Sequence, residues 1–94
     1  MTDIKTVGVV GAGQMGNGIA HVSALAGYDV ILNDISQDAL DKGVATIEKN
    51  LGRQVARELI TVDEMKATLG RIKTSVELVP FAKVDLAIEA ATDA

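Results

Sequence analysis

The chain has 94 residues, 48% of them hydrophobic and 23% charged, with a formal net charge of −4, one histidine and no cysteine. That profile belongs to a globular domain: it excludes disulfides and thiolate metal sites, leaves almost nothing for a zinc centre, and argues against a general nucleic-acid surface. No apolar run is long enough to cross a bilayer, and the N-terminus enters a strand at once instead of a signal peptide, so a cytoplasmic protein is expected.

Thr6-Val7-Gly8-Val9-Val10 reads as an apolar strand that runs straight into Gly11-Ala12-Gly13-Gln14-Met15-Gly16, a G-x-G-x-x-G loop opening a helix. Backbone N–H groups and aligned peptide dipoles at such a helix start favour a pyrophosphate, so the layout proposes a dinucleotide ligand. Gly11 allows the tight turn, Gly13 leaves the backbone open to the pyrophosphate, and Gly16 lets the helix sit close on the sheet. Gly18 is expected to extend that close contact. The helix runs to Ala26, with Gly27 as its stop and Met15, Ile19, Val22 and Ala26 as the stripe packed on the sheet.

Asp29 to Asn33 forms the second strand, ending at Asp34, about twenty positions past the last glycine, where a dinucleotide fold needs a carboxylate for the adenosine ribose. That carboxylate would repel the 2′-phosphate of NADP, and Ile35, Ser36 and Gln37 bring no compensating cation, so the expected cofactor is NAD. The competing reading makes Asp34 a strand-end or helix-entry acid.

Leu40, Val44, Ile47, Leu51, Val55 and Leu59 then recur at helical spacing, predicting one helix from Gln37 to Leu59. Thr61 and Glu64 form a capping box that opens a short helix, carrying Met65 and Leu69 inward and stopping at Gly70. Together they make a helical hairpin inserted between the second and third strands. Lys49, Asn50, Arg53 and Arg57 cluster on its first helix, either to receive a phosphorylated substrate or as a solvated face with i,i+4 pairs. Ile72 to Thr74 is a short third strand. Val76 to Lys83, with Pro80, connects it to a fourth, Val84 to Ala90, whose continuous apolar character predicts burial on both faces.

Val9 to Ala20, Asn33-Asp34, the helical hairpin and Ala87-Ile88-Glu89-Ala90-Ala91-Thr92 resemble the N-terminal part of the 3-hydroxyacyl-CoA dehydrogenases, most of all the compact bacterial 3-hydroxybutyryl-CoA branch. The resemblance spans essentially the whole chain, residues 1–94. It implies an α/β, Rossmann-type doubly wound parallel sheet, of which this is the N-terminal portion. It implies NAD held at Gly11, Gly13, Gln14, Met15 and Gly16, Asp34 on the adenosine ribose, a backbone contact at Ala90, and a carboxylate contact at Asp93, where relatives carry Glu. It also implies contact of Asn50 and Arg57 with the CoA portion of an acyl-CoA substrate.

The family's catalytic His–Glu pair, its Ser and Asn partners and its all-helical C-terminal domain would fall beyond residue 94, so the chain by itself holds no catalytic residue. His21, on the first helix, is not the base. The expected function is the NAD-binding segment of an oxidoreductase moving hydride between NAD and a 3-hydroxyacyl-CoA in fatty acid metabolism. The alternative is a non-catalytic nucleotide-binding or structural module of the same fold. The fourth strand would leave an open edge, so the chain is expected to form a homo-oligomer or to pack against the rest of its parent.

Overall fold

The computed structural model describes residues 4–77 and 84–90. Four parallel strands, β1 (Thr6–Val10), β2 (Asp29–Asn33), β3 (Ile72–Ser75) and β4 (Leu86–Glu89), lie in the order β3-β2-β1-β4. Among the described residues three helices connect them: α1 (Gln14–Leu25) between β1 and β2, then α2 (Gln37–Ala56) and α3 (Val62–Gly70) between β2 and β3. The register is continuous across the sheet, with Val7 opposite both Val30 and Leu86 and Val30 opposite Ile72. The body measures 36 × 35 × 20 Å, a thickness that fits one sheet and one helix layer.

Alternation along the strands sets the core. Val7 and Val9 of β1 and Val30 and Leu32 of β2 are buried together with Leu40, Ile47 and Leu51 of α2. From α1 the core receives only Gly16, Ala20 and Ala24, spaced one turn apart. This corrects part of the expected stripe: Met15, Val22 and Ala26 are exposed, whereas Ile19 is half-buried and packs against the core. The reason is proximity. A Cβ on Gly16 would stand 1.6 Å from the Gly11 carbonyl oxygen, so α1 lies too close to β1 for large side chains to fit between them. Gly18 plays no part in that approach, since a Cβ there would meet nothing within 4 Å.

α2 ends at Ala56, not at Leu59. Glu58 takes a left-handed backbone (φ 60°), and its N–H bonds to Val55 O while Leu59 N–H bonds to Gln54 O at 2.9 Å each. These are the two hydrogen bonds of a Schellman motif, which turns Leu59 out to 66% exposure. α1 ends in the same motif at Gly27 (φ 107°), with Gly27 N–H on Ala24 O and Tyr28 N–H on Ser23 O. α3 carries the predicted capping box: Glu64 N–H donates to Thr61 Oγ1 at 3.0 Å and Thr61 N–H to Glu64 Oε1 at 3.1 Å.

β4 also departs from expectation. It covers Leu86–Glu89 only, and three of its four residues are exposed, Leu86 at 41%. Among the described residues β4 pairs with β1 alone, so it is an edge and not a strand buried on both faces. Asp85 just before it accepts from Lys5 N–H and Thr6 N–H at 2.9 Å each, tying it to the start of β1.

Candidate dinucleotide site

The carboxyl ends of β2, β1 and β4 meet around the start of α1. Gly11 leaves β1 with φ 102°, a conformation that disfavours any side chain, and its N–H bonds to Asn33 O at 2.7 Å. The next three residues turn into α1, whose N-cap is Gly13, with no side-chain cap and no acid in the first turn. The first N–H groups of α1 therefore keep their donor capacity and the positive end of the helix dipole is not neutralised locally. A Cβ on Gly13 would meet nothing within 4 Å, so the space over the backbone is open. Gln14 and Met15 are exposed beside it.

Asp34 stands at the end of β2. Its Oδ2 accepts from Ala12 N–H and its Oδ1 from Ser36 N–H, both at 2.9 Å. The Ala12 contact first, then those from Ser36 and Ile35, hold its carboxyl below the usual carboxylate range. The group is thus ionised at neutral pH and fixed in direction, and it retains lone pairs for ribose hydroxyls. The helix-entry reading of Asp34 is also satisfied, because the Ser36 contact shapes the turn into α2. The Ser36 contact leaves other lone pairs of the carboxylate available to a ligand. Ser36 itself caps α2, accepting from Ala39 N–H at 3.1 Å.

Ala90 closes the site from the β4 side. It is buried, its N–H bonds to Val10 O at 2.7 Å, and its Cβ would be 3.6 Å from a Cβ on Gly16. Gly11, Gly13, Gln14, Met15, Gly16, Asp34 and Ala90 are therefore gathered along one edge of the sheet. Asp93 lies outside the described residues. Asn50 and Arg57 are not brought to that edge. They follow Ser36 by about 20 Å and about 30 Å along the α2 axis, Asn50 half-buried and Arg57 exposed at the C-cap. His21 is tied to that helix too, its Nε2 2.9 Å from Gln54 Oε1.

Two residues escaped the sequence reading. The side chain of buried Asn33 donates from Nδ2 to Ser75 O at 3.0 Å and also to Glu77 O, binding the end of β3 to the end of β2. Its signal was an amide in an otherwise apolar strand, directly before the acid. Gly43 lets α2 press on the glycine loop, since a Cβ there would be 2.9 Å from Ala12 O and 3.5 Å from Ala12 Cβ. A glycine inside a helix was its signal, as it weakens the helix unless packing needs it.

The open start of α1, the exposed glycine backbone and the oriented carboxylate fit a dinucleotide without distortion. Comparison with known proteins agrees. Residues 6–94 match the family model described as 3-hydroxyacyl-CoA dehydrogenase, NAD binding domain. The chain is 54% identical over 90 residues to a 3-hydroxybutyryl-CoA dehydrogenase of Bradyrhizobium diazoefficiens, covering 96% of this chain and 31% of that protein. It is 39% identical over 93 residues to the 3-hydroxyadipyl-CoA dehydrogenase of Escherichia coli, covering 99% of this chain and 20% of that one. The crystal structure of an (S)-3-hydroxybutyryl-CoA dehydrogenase from Ralstonia eutropha superposes with a TM-score of 0.92 at 44% identity, over 98% of this chain and 32% of that one. The chain thus spans about a third or less of the length of these relatives. From the glycine loop through Ala90, it belongs to the 3-hydroxyacyl-CoA dehydrogenase family, as its NAD-binding domain.

Proposed function

We propose that this chain is the cofactor-holding part of a dehydrogenase that moves hydride between NAD and a 3-hydroxyacyl-CoA, with 3-hydroxybutyryl-CoA as the favoured substrate. The observation that carries the reading is the pairing of an uncapped α1 start with an Asp34 carboxylate oriented by the same loop. NAD, when bound, supplies the hydride acceptor. The chain's own residues bind and orient it: Gly11, Gly13, Gln14, Met15 and Gly16 at the pyrophosphate, Asp34 on the adenosine ribose, with a backbone contact assigned to Ala90 and a carboxylate contact to Asp93. Asn50 and Arg57 are assigned to the CoA portion of the substrate, at the far end of α2. No proton-transfer group is assigned within residues 1–94. We place that group in the part of the relatives that this chain does not match, and we place the enzyme in the cytoplasm.

Asp34 sets the choice of cofactor, because a carboxylate fixed by two N–H groups opposes a 2′-phosphate. NADH should bind more tightly than NADPH, and Asp34→Ala should weaken NADH by about 1–3 kcal/mol, the range for lost hydrogen bonds to a charged acceptor. Calorimetric titration checks both, and equal affinity of the unsubstituted protein for the two cofactors would contradict the assignment. In the complete dehydrogenase, Arg57→Ala should raise KM for a CoA thioester more than for a truncated thioester lacking the nucleotide. Equal losses for both would remove Arg57 from the substrate site.

A further inference from the structure

The far end of α2 carries the residues assigned to the CoA portion, yet it contributes little to the core. Leu51 is the last buried residue of the helix; Gln54 and Val55 are half-buried, and Arg53, Ala56 and Arg57 are exposed. The near end is pinned by close contact, because Gly43 brings α2 against Ala12 O and Asn17 Cβ. About 16 Å further along the helix axis, Gln54 Oε1 lies 2.9 Å from Nε2 of His21 on α1, both side chains half-buried. An amide oxygen can only accept, so the His21 Nε2–H donates. Among the described residues no other hydrogen bond joins side chains of two different elements; the remaining side-chain pair, Gln37 with Asp41, lies within α2.

The placement of Gln54 gives that bond its consequence. Asn50, Gln54 and Arg57 stand at i, i+4 and i+7, on one face of the helix. The Gln54 carbonyl also accepts the Leu59 N–H in the motif that ends α2. Ile47 and Leu51 hold the helix down on the sheet, but apolar burial is non-directional and leaves sideways displacement cheap. A hydrogen bond has one donor, one acceptor and a narrow geometry, so together with the contact at Gly43 it fixes the direction of the helix. We propose that His21 is a positioning residue for CoA recognition: through Gln54 it holds the Asn50 and Arg57 face of α2 in place. The inference rests on the assignment of Asn50 and Arg57 made above.

The test is steady-state kinetics of the complete dehydrogenase with a CoA thioester and with a truncated thioester lacking the nucleotide. His21→Phe keeps a ring and removes the donor. It should raise KM for the CoA thioester about three- to tenfold, the scale of one hydrogen bond, and leave kcat and KM for the truncated thioester unchanged. Gln54→Leu should do the same, and the double variant should lose no more than either single one, since all three remove one bond. His21→Gln retains an N–H donor and should restore KM. An unchanged KM for the CoA thioester in both single variants, or equal changes for the two thioesters, overturns the proposal; the second result would mark His21 as structural only. Arg57→Ala separates the proposal from its premise. If Arg57→Ala discriminates between the thioesters and His21→Phe does not, the positioning role is wrong and the CoA assignment survives. If neither variant discriminates, both fall.

Discussion

α1 and α3 begin from nearly the same backbone and finish their first turns in opposite ways. Gly13 precedes α1 at φ −67°, ψ −169°, and Thr61 precedes α3 at φ −88°, ψ 165°. At Thr61 the hydroxyl takes the Glu64 N–H, Glu64 reaches back to the Thr61 N–H, and Asp63 and Glu64 neutralise the dipole. At Gly13 nothing does so. One start is closed by its own side chains and the other keeps its donors for a guest. The contrast teaches what the proposed site requires: a cap worth about 1 kcal/mol is absent at Gly13, where it would occupy the position proposed for the pyrophosphate.

Four changes break or sharpen this contrast. The largest effect is expected from Gly16→Val. Its Cβ has to displace the Gly11 carbonyl, so α1 must lift off β1, at a stability loss of about 3 kcal/mol or more and with loss of NADH binding. Thermal unfolding and NADH titration on the same sample check it, and a normal melting temperature would refute the close-approach argument. Gly13→Asp closes the open start artificially. It should leave stability unchanged or raise it by a few tenths of a kcal/mol while weakening NADH at least about a hundredfold, because the new carboxylate sits where the pyrophosphate belongs. Opposite signs for stability and binding are the diagnostic result.

Thr61→Ala opens the closed start. It should cost about 1 kcal/mol in chemical denaturation and leave NADH affinity untouched, since α3 begins away from the carboxyl edge. Any loss of NADH affinity beyond that explained by unfolding would show the two starts to be coupled. The smallest effect is that of pH. Asp34 is held below its ordinary range by Ala12 N–H and Ser36 N–H, and Asp85 by Lys5 N–H and Thr6 N–H. A depressed folded-state value means stability that is present above the unfolded value, about 3.9, and lost as pH falls through the lower folded one. Stability should therefore be insensitive to these groups from neutrality to about pH 4.5 and decline below it. Asp34→Asn should flatten part of that decline.

The legible parts of the sequence were those where one residue type does one local job. The glycine loop, the Thr61 capping box and the Gly27 stop could each be read without knowing their neighbours. Glu58 ends α2 by the same pair of hydrogen bonds that Gly27 uses for α1, but a glutamate in a left-handed conformation has no local signature, so helical spacing alone carries the helix three residues past its end. The α1 stripe failed for a tertiary reason. Apolar periodicity selects Met15 and Val22, which are exposed, whereas the contact distance imposed by Gly16 favours the small Ala20 and Ala24 on the sheet side, with Ile19 at its margin. Asn33 and Gly43 act on carbonyls far along the chain, which no window of sequence displays. The loop glycines and Asp34 can be proposed as site residues from sequence because their chemistry is local to the strand ends.

The exposure of β4 has a consequence for how stability is measured. Three of its four residues face solvent and it pairs with β1 alone among the described strands. Anything that adds a strand there, another copy of the chain or further polypeptide, binds the folded form and not the unfolded one. By mass action the folded population then depends on how much of that partner is present. Where that partner is a second copy of the chain, the midpoint of thermal unfolding should climb with protein concentration, and a midpoint unchanged on dilution would count against such pairing.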